Sequence, residues 1–165
     1  MRVAHESVAM KEVQERRRVK AVPGGRPIHD YANLYFCARN PMLFKRRDEH
    51  ESLCVLRISP AVLDLPDVVV TDQNAASDYA RFARAPEGLE IVDRALVFAA
   101  YWKHPEDPIA DWRHASAKCA EVLVPDCVEP SYITGAYVSC GEAQAAVAAL
   151  DLKWPIAVNP SFFFR

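Results

Sequence analysis

Two places in this sequence bring side chains together in a way that supports chemistry. Glu121 opens the apolar run 120–124 (AEVLV). A carboxylate at a strand entrance can be a salt-bridged surface residue. Pointed into a cleft, it can instead orient a sugar hydroxyl or remove a proton. The second place is the run Gln14-Glu15-Arg16-Arg17-Arg18. Arginines near a helix C-terminus favourably oppose the helix dipole. A guanidinium can equally clamp a pyrophosphate through two parallel hydrogen bonds. Between these places, residues 29–44 (HDYANLYFCARNPMLF) alternate aromatic rings with polar tips. Such rings fill a core with their hydroxyls satisfied, or stack nucleobases beside arginines.

Several signatures are absent. The sequence holds no GxGxxG, no GxxxxGK[ST], no HExxH and no GxSxG. A Rossmann dinucleotide site is therefore unsupported.

The elements that must position these groups are mixed. Residues 4–20 read as a helix, ended by Pro-Gly-Gly at 23–25. Residues 26–33 read as a loop and 34–37 as a short strand, with 45–51 an exposed charged loop. Residues 53–58 (LCVLRI) form the clearest strand, and 61–65 a turn or short helix. The β-branched stretch 68–71 predicts a buried strand. Asp72 or Asn74 can cap a helix running to about residue 85, and 89–98 reads as a second helix. Residues 102–113 read as a loop with some helix. Strands follow at 120–124, 136–139 and 156–158, with an alanine-rich helix at 141–150. Strands and helices mix without βαβ regularity, which predicts an α+β fold.

The 165 residues suit one domain, 1–165, large enough to bury a core without staples. The five cysteines include no CxxC pair, so buried free thiols are expected and no metal site is. No apolar run is long enough to span a bilayer, and the N-terminus has no continuous apolar core of a signal peptide. A cytoplasmic protein without membrane contact is expected. The net charge of −2 conceals an asymmetry: residues 1–47 carry eleven Lys/Arg and four Asp/Glu, whereas the remainder carries nine and eighteen. A basic first third can meet a polyanion, or simply be a solvated surface.

The segments HDYANLYFCARNPMLF, VVVTDQNAASDYARF and AKCAEVLV, preceded by VQERRRVK, occur in the order and approximate spacing of the DarT family of DNA ADP-ribosyltransferase toxins. The sequence resembles that family from His5 to about Val138. The resemblance implies an ADP-ribosyltransferase fold, a split β-sheet with NAD held in the cleft as co-substrate and no metal. It implies transfer of ADP-ribose to thymine or guanine in single-stranded DNA. It places the catalytic glutamate at Glu121 and the NAD-contacting and catalytic arginine at Arg17, with Tyr35 beside Arg17 in the NAD site. The loop that holds DNA then lies within residues 74–121. A macrodomain antitoxin that reverses the modification is the implied partner.

One departure stands out. Members of the family open with a segment like His-x-Thr-His that grips NAD, and this chain begins inside the next part of the motif. An N-terminally incomplete domain, with little transfer by residues 1–165 alone, is the corresponding expectation. The alternative functions are a truncated, inactive remnant that only binds nucleic acid, and a transferase directed at protein.

Overall fold

The structure is a computed structural model that describes residues 11–164; the side chains of residues 11–13 are not described. The portion of the first helix expected at 4–10 lies outside the described residues, as does the start of the family resemblance at His5.

Helix α1 (Lys11–Arg18) opens the described chain. The Pro-Gly-Gly turn then reverses its direction. Val22 N–H donates to Arg26 O at 2.9 Å, and Ile28 N–H donates to Lys20 O at 3.0 Å. Gly24 sits at φ 68°, a conformation in which a Cβ would be strained. The reversal folds α1 back over strand β1 (Tyr31–Tyr35), which begins three residues earlier than expected.

Two sheets follow. The first contains β1, β5 (Glu121–Pro125), β3 (Val69–Thr71) and β4 (Phe82–Arg84), in the spatial order β1-β5-β3-β4, with every neighbouring pair antiparallel. The second contains β2 (Cys54–Ile58), β6 (Ile133–Val138) and β7 (Ile156–Val158), in sequence order, with β2 antiparallel and β7 parallel to β6. Helices α2 (Pro41–Lys45), α3 (Arg94–Val97), α4 (Pro108–Ala117) and α5 (Gly141–Ala148) connect and flank them. The expected α+β class and divided sheet are what the chain forms.

Strand β5 lies at the centre because it is apolar on both faces. Val122 and Val124 pack with Val62, Val68, Val70 and Ala85. On the opposite face, Leu123 joins Val22, Ile28, Tyr31 and Ala75. Glu121 shares Leu123's face, since alternate residues of a strand point the same way.

Several local expectations are corrected. The helix expected from residue 72 or 74 to 85 does not form. Asn74 instead accepts from the N–H of Ala76 at 2.9 Å, closing a turn. The end of the segment pairs with β3 as strand β4. The helix expected over 89–98 is divided. A 3-10 turn spans Glu87–Ile91, and Asp93 then accepts from the N–H of Leu96 and starts α3 afresh. The loop expected at 45–51 is largely a 3-10 turn, Arg47–Ser52. The mixed stretch 102–113 resolves into α4 from Pro108, with Asp107 as its N-cap. The cysteines are not uniformly buried: Cys119 is, Cys54 and Cys127 are exposed, and Cys37 and Cys140 are partly covered.

Candidate active site

Arg17 and Glu121 are 104 positions apart and meet in the interior. Arg17 Nη1 donates to Glu121 Oε1 at 3.1 Å, and Nη2 donates to Oε2 at 3.0 Å. This fork-to-fork arrangement suits a guanidinium and a carboxylate. Glu121 is fully buried and Arg17 is 6% exposed. Consecutive residues on a helix project about 100° apart. Accordingly Arg16 and Arg18 are exposed while Arg17 turns inward. His29 helps to set the helix over the sheet, with its Nε2 3.2 Å from Gln14 O.

The loop between β3 and β4 supplies a third contact. Ala75 N–H donates to Glu121 Oε1 at 3.0 Å. Thr71 Oγ1 accepts from the N–H of Glu121 at 3.1 Å and donates to Gln73 O at 2.7 Å. The carboxylate is thus fixed by three donors, and its backbone is fixed to the neighbouring strand. Neither Ala75 nor Thr71 is marked by a motif in the sequence. The small pair Ala75-Ala76 lets the backbone approach a buried carboxylate, and that was the available signal.

Tyr35 stands directly opposite Glu121 in the β1–β5 register, on the same face. Burial, and then the charge of Glu121, hold its phenol above the ordinary tyrosine range, with Arg17 pulling the other way. The hydroxyl therefore stays protonated and available as a donor. Cys119 lies close by, and burial followed by the field of Glu121 pushes its thiol up to about 12. Arg17, Tyr35 and Glu121 are brought to one place.

Chemically, the arrangement is a buried carboxylate held by a cation. Among the described residues, Arg17 spends two of its five N–H donors on Glu121. A buried ion pair contributes less to stability than apolar residues of similar volume. Such pairs often mark functional sites. No group of three or more His, Cys, Asp or Glu side chains among the described residues is arranged to hold a metal. No helix among them is long and apolar enough to cross a membrane.

Comparison with known proteins fits this geometry. Residues 2–164 match the sequence profile of the DarT family, described as ssDNA thymidine ADP-ribosyltransferase. The chain belongs to this family. It is similar to a DNA ADP-ribosyl transferase–DNA ADP-ribosyl glycohydrolase fusion protein of Thermosipho africanus, with 29% identity over 98% of this chain and 43% of the fusion protein. It is 34% identical to a DNA ADP-ribosyl transferase of Thermus sp. strain 2.9, over 61% of this chain and 54% of that protein. The structure of the Thermus sp. 2.9 DarT in complex with ADP-ribosylated ssDNA superposes with a TM-score of 0.82 and 25% identity, covering 96% of this chain and 81% of that one. The chain thus spans about half the length of the curated relatives it matches first.

Proposed function

We propose that this chain carries out NAD-dependent transfer of ADP-ribose to a base in single-stranded DNA. The observation that carries this reading is the buried Arg17–Glu121 pair, formed inside a family match that covers residues 2–164. The ADP-ribosylated DNA bound by the Thermus relative supports the same substrate class. The donor is NAD, and thymine is the target base that the family description favours, with guanine as the competing target.

The residues present fit this donor. Arg17 is the group to hold the pyrophosphate, since a guanidinium pairs bidentately with phosphate oxygens. Glu121 faces the ribose hydroxyls. Breaking the bond between nicotinamide and ribose develops positive charge at the anomeric carbon, which the carboxylate stabilises. The base nitrogen attacks that carbon, nicotinamide leaves with the bonding electrons, and the proton on the nitrogen passes to the carboxylate. Tyr35, protonated and on the same sheet face, donates a hydrogen bond to the bound donor. Arg17 remains a cation throughout and positions the reactants.

The wider role proposed is that of a toxin in a toxin–antitoxin pair, opposed by a macrodomain that removes the modification. The fused DNA ADP-ribosyl glycohydrolase of the Thermosipho africanus relative supports this pairing. The test is incubation with NAD and single-stranded oligonucleotides containing only thymine, only guanine or neither as candidate targets. The expected result is a mass gain of one ADP-ribose on the thymine strand, absent with Glu121→Gln. An unmodified oligonucleotide with every strand would refute the reading, and a labelled protein in its place would redirect it.

A further inference from the structure

Tyr79 and Trp112 are large rings that the core does not use: Tyr79 is 73% exposed and Trp112 51%. They meet edge to face, with ring centroids 5.9 Å apart. We propose that they form a stacking platform for an unpaired base of the DNA strand. The proposal rests on the DNA reading above and adds to it a binding site outside the Arg17–Glu121 pair.

Three features support it. The first is rigidity. The loop that carries Tyr79 is pinned at both ends. Asn74 N–H donates to Ser116 O of α4 at 3.0 Å, and Arg81 holds Asp72 through its N–H at 2.9 Å and its Nε at 2.6 Å. Ser116 lies four residues beyond Trp112, hence on the same face of α4. That contact fixes the helix beside the loop and brings the rings together.

The second is position. Ala75 of this loop donates to Glu121, and Tyr79 follows four residues later. Four residues span at most about 14 Å. A single strand with its bases splayed covers that distance in a few nucleotides, so a base on the platform belongs to the same strand as a base presented to Glu121.

The third is charge. Lys20 pairs with Asp78, the neighbour of Tyr79, so that carboxylate is offset and does not stand alone against a phosphate, and exposed Arg16 adds positive charge on the same side. Arg113 is exposed beside Trp112. Cations flanking an aromatic face are what a sequence-tolerant single-strand site requires, with phosphates on the cations and the base on the ring. An edge-to-face pair covers one face of one ring and leaves the others open to a base.

The test measures binding of a labelled single-stranded oligonucleotide by the full chain and by Tyr79→Ala, Trp112→Ala, Tyr79→Phe and Trp112→Phe, across a salt series. Each alanine variant is expected to bind about 5- to 100-fold more weakly, as loss of one base–aromatic stack implies. The phenylalanine variants should recover most of the affinity. The dependence of log affinity on log salt should keep its slope in all four, since no phosphate contact is lost. Replacing bases one at a time by abasic sites should reveal one position where the loss does not add to that of Tyr79→Ala. Melting temperatures should be unchanged, because both rings are on the surface. If the unsubstituted chain binds and both alanine variants bind equally well, the platform is wrong while the DNA reading stands. If the alanine variants lower the salt slope, the residues act through phosphate contacts and the platform is again wrong. If the unsubstituted chain does not bind single strands even at low salt, the platform and the DNA reading fail together.

Discussion

Removing Arg17 separates what the buried pair does for stability from what it does for chemistry. In Arg17→Met, a fully buried carboxylate keeps one donor among the described residues, the Ala75 N–H, and loses two charge-assisted hydrogen bonds. Breaking a buried pair in this way costs about 3–5 kcal/mol. That is a large part of the roughly 5–15 kcal/mol that holds a domain folded. At about 2–4 °C per kcal/mol for a chain of this size, the melting temperature should fall by roughly 6–20 °C. Glu121→Gln should cost less, because the amide still accepts from Ala75 and the Arg17 side chain, 6% exposed, lies near enough to the surface to turn outward. The double variant Arg17→Met, Glu121→Leu should regain most of the loss, since apolar residues of similar volume leave no charge unpaired. Urea unfolding of these proteins together with Glu121→Leu closes the cycle and gives the coupling energy, and the oligonucleotide mass assay run alongside gives transfer. The double variant should be stable and inactive. If Arg17→Met loses less than about 1 kcal/mol, the burial argument is wrong. If the stable double variant still transfers ADP-ribose, the pair is structural and the catalytic reading goes with it.

Four further outcomes follow from the same geometry. Tyr35 and Cys119 both have folded-state values raised by burial, so each is neutral in the fold at a pH where the unfolded chain ionises; stability should be intact below about pH 9 and fall above it, by up to about 1.4 kcal/mol per pH unit and per group, as equilibrium unfolding from pH 8 to 11 will measure. Alkylation of the native chain followed by mass spectrometry should label exposed Cys127 first, Cys54 more slowly because burial raises its thiol, and Cys119 only after unfolding. Lys118 is fully buried, and its Nζ donates to Val97 O at 2.9 Å and Ala99 O at 2.8 Å beside the Trp102 ring; Lys118→Met strands both carbonyls at about 1–3 kcal/mol each and should speed hydrogen exchange over residues 97–102 before it affects the central sheet. Association with single-stranded DNA should weaken steeply with salt, and Arg16→Ala should lower the slope by about 0.7 if that exposed arginine meets a phosphate.

What could be read from the sequence was what local chemistry decides. The central strands were legible because β3 and β5 are apolar on both faces, which leaves little besides a buried strand for runs such as VVVT and EVLV. The helix expected after residue 72 shows the opposite case. Asn74 is as good a turn former as a helix cap, and the choice was made by contacts distant in sequence. Ser116 takes the N–H of Asn74, Glu121 takes that of Ala75, and β3 takes strand β4 as its edge. The stretch that departs from the expected helix is the one that serves the site, since it carries the Ala75 N–H that donates to Glu121. Arg17 is a similar case. Three consecutive arginines look alike in sequence; the chain reversal at 22–26 decides which one faces the sheet. The resemblance singled out Arg17 without any account of its burial, whereas the geometry supplies one. Arg17 is the member of the triplet opposed by a carboxylate with no other cation within hydrogen-bonding reach among the described residues. A buried carboxylate without that arginine would carry an unpaired charge, and a buried arginine without the carboxylate would do the same. The two segments, 104 positions apart, are therefore constrained together.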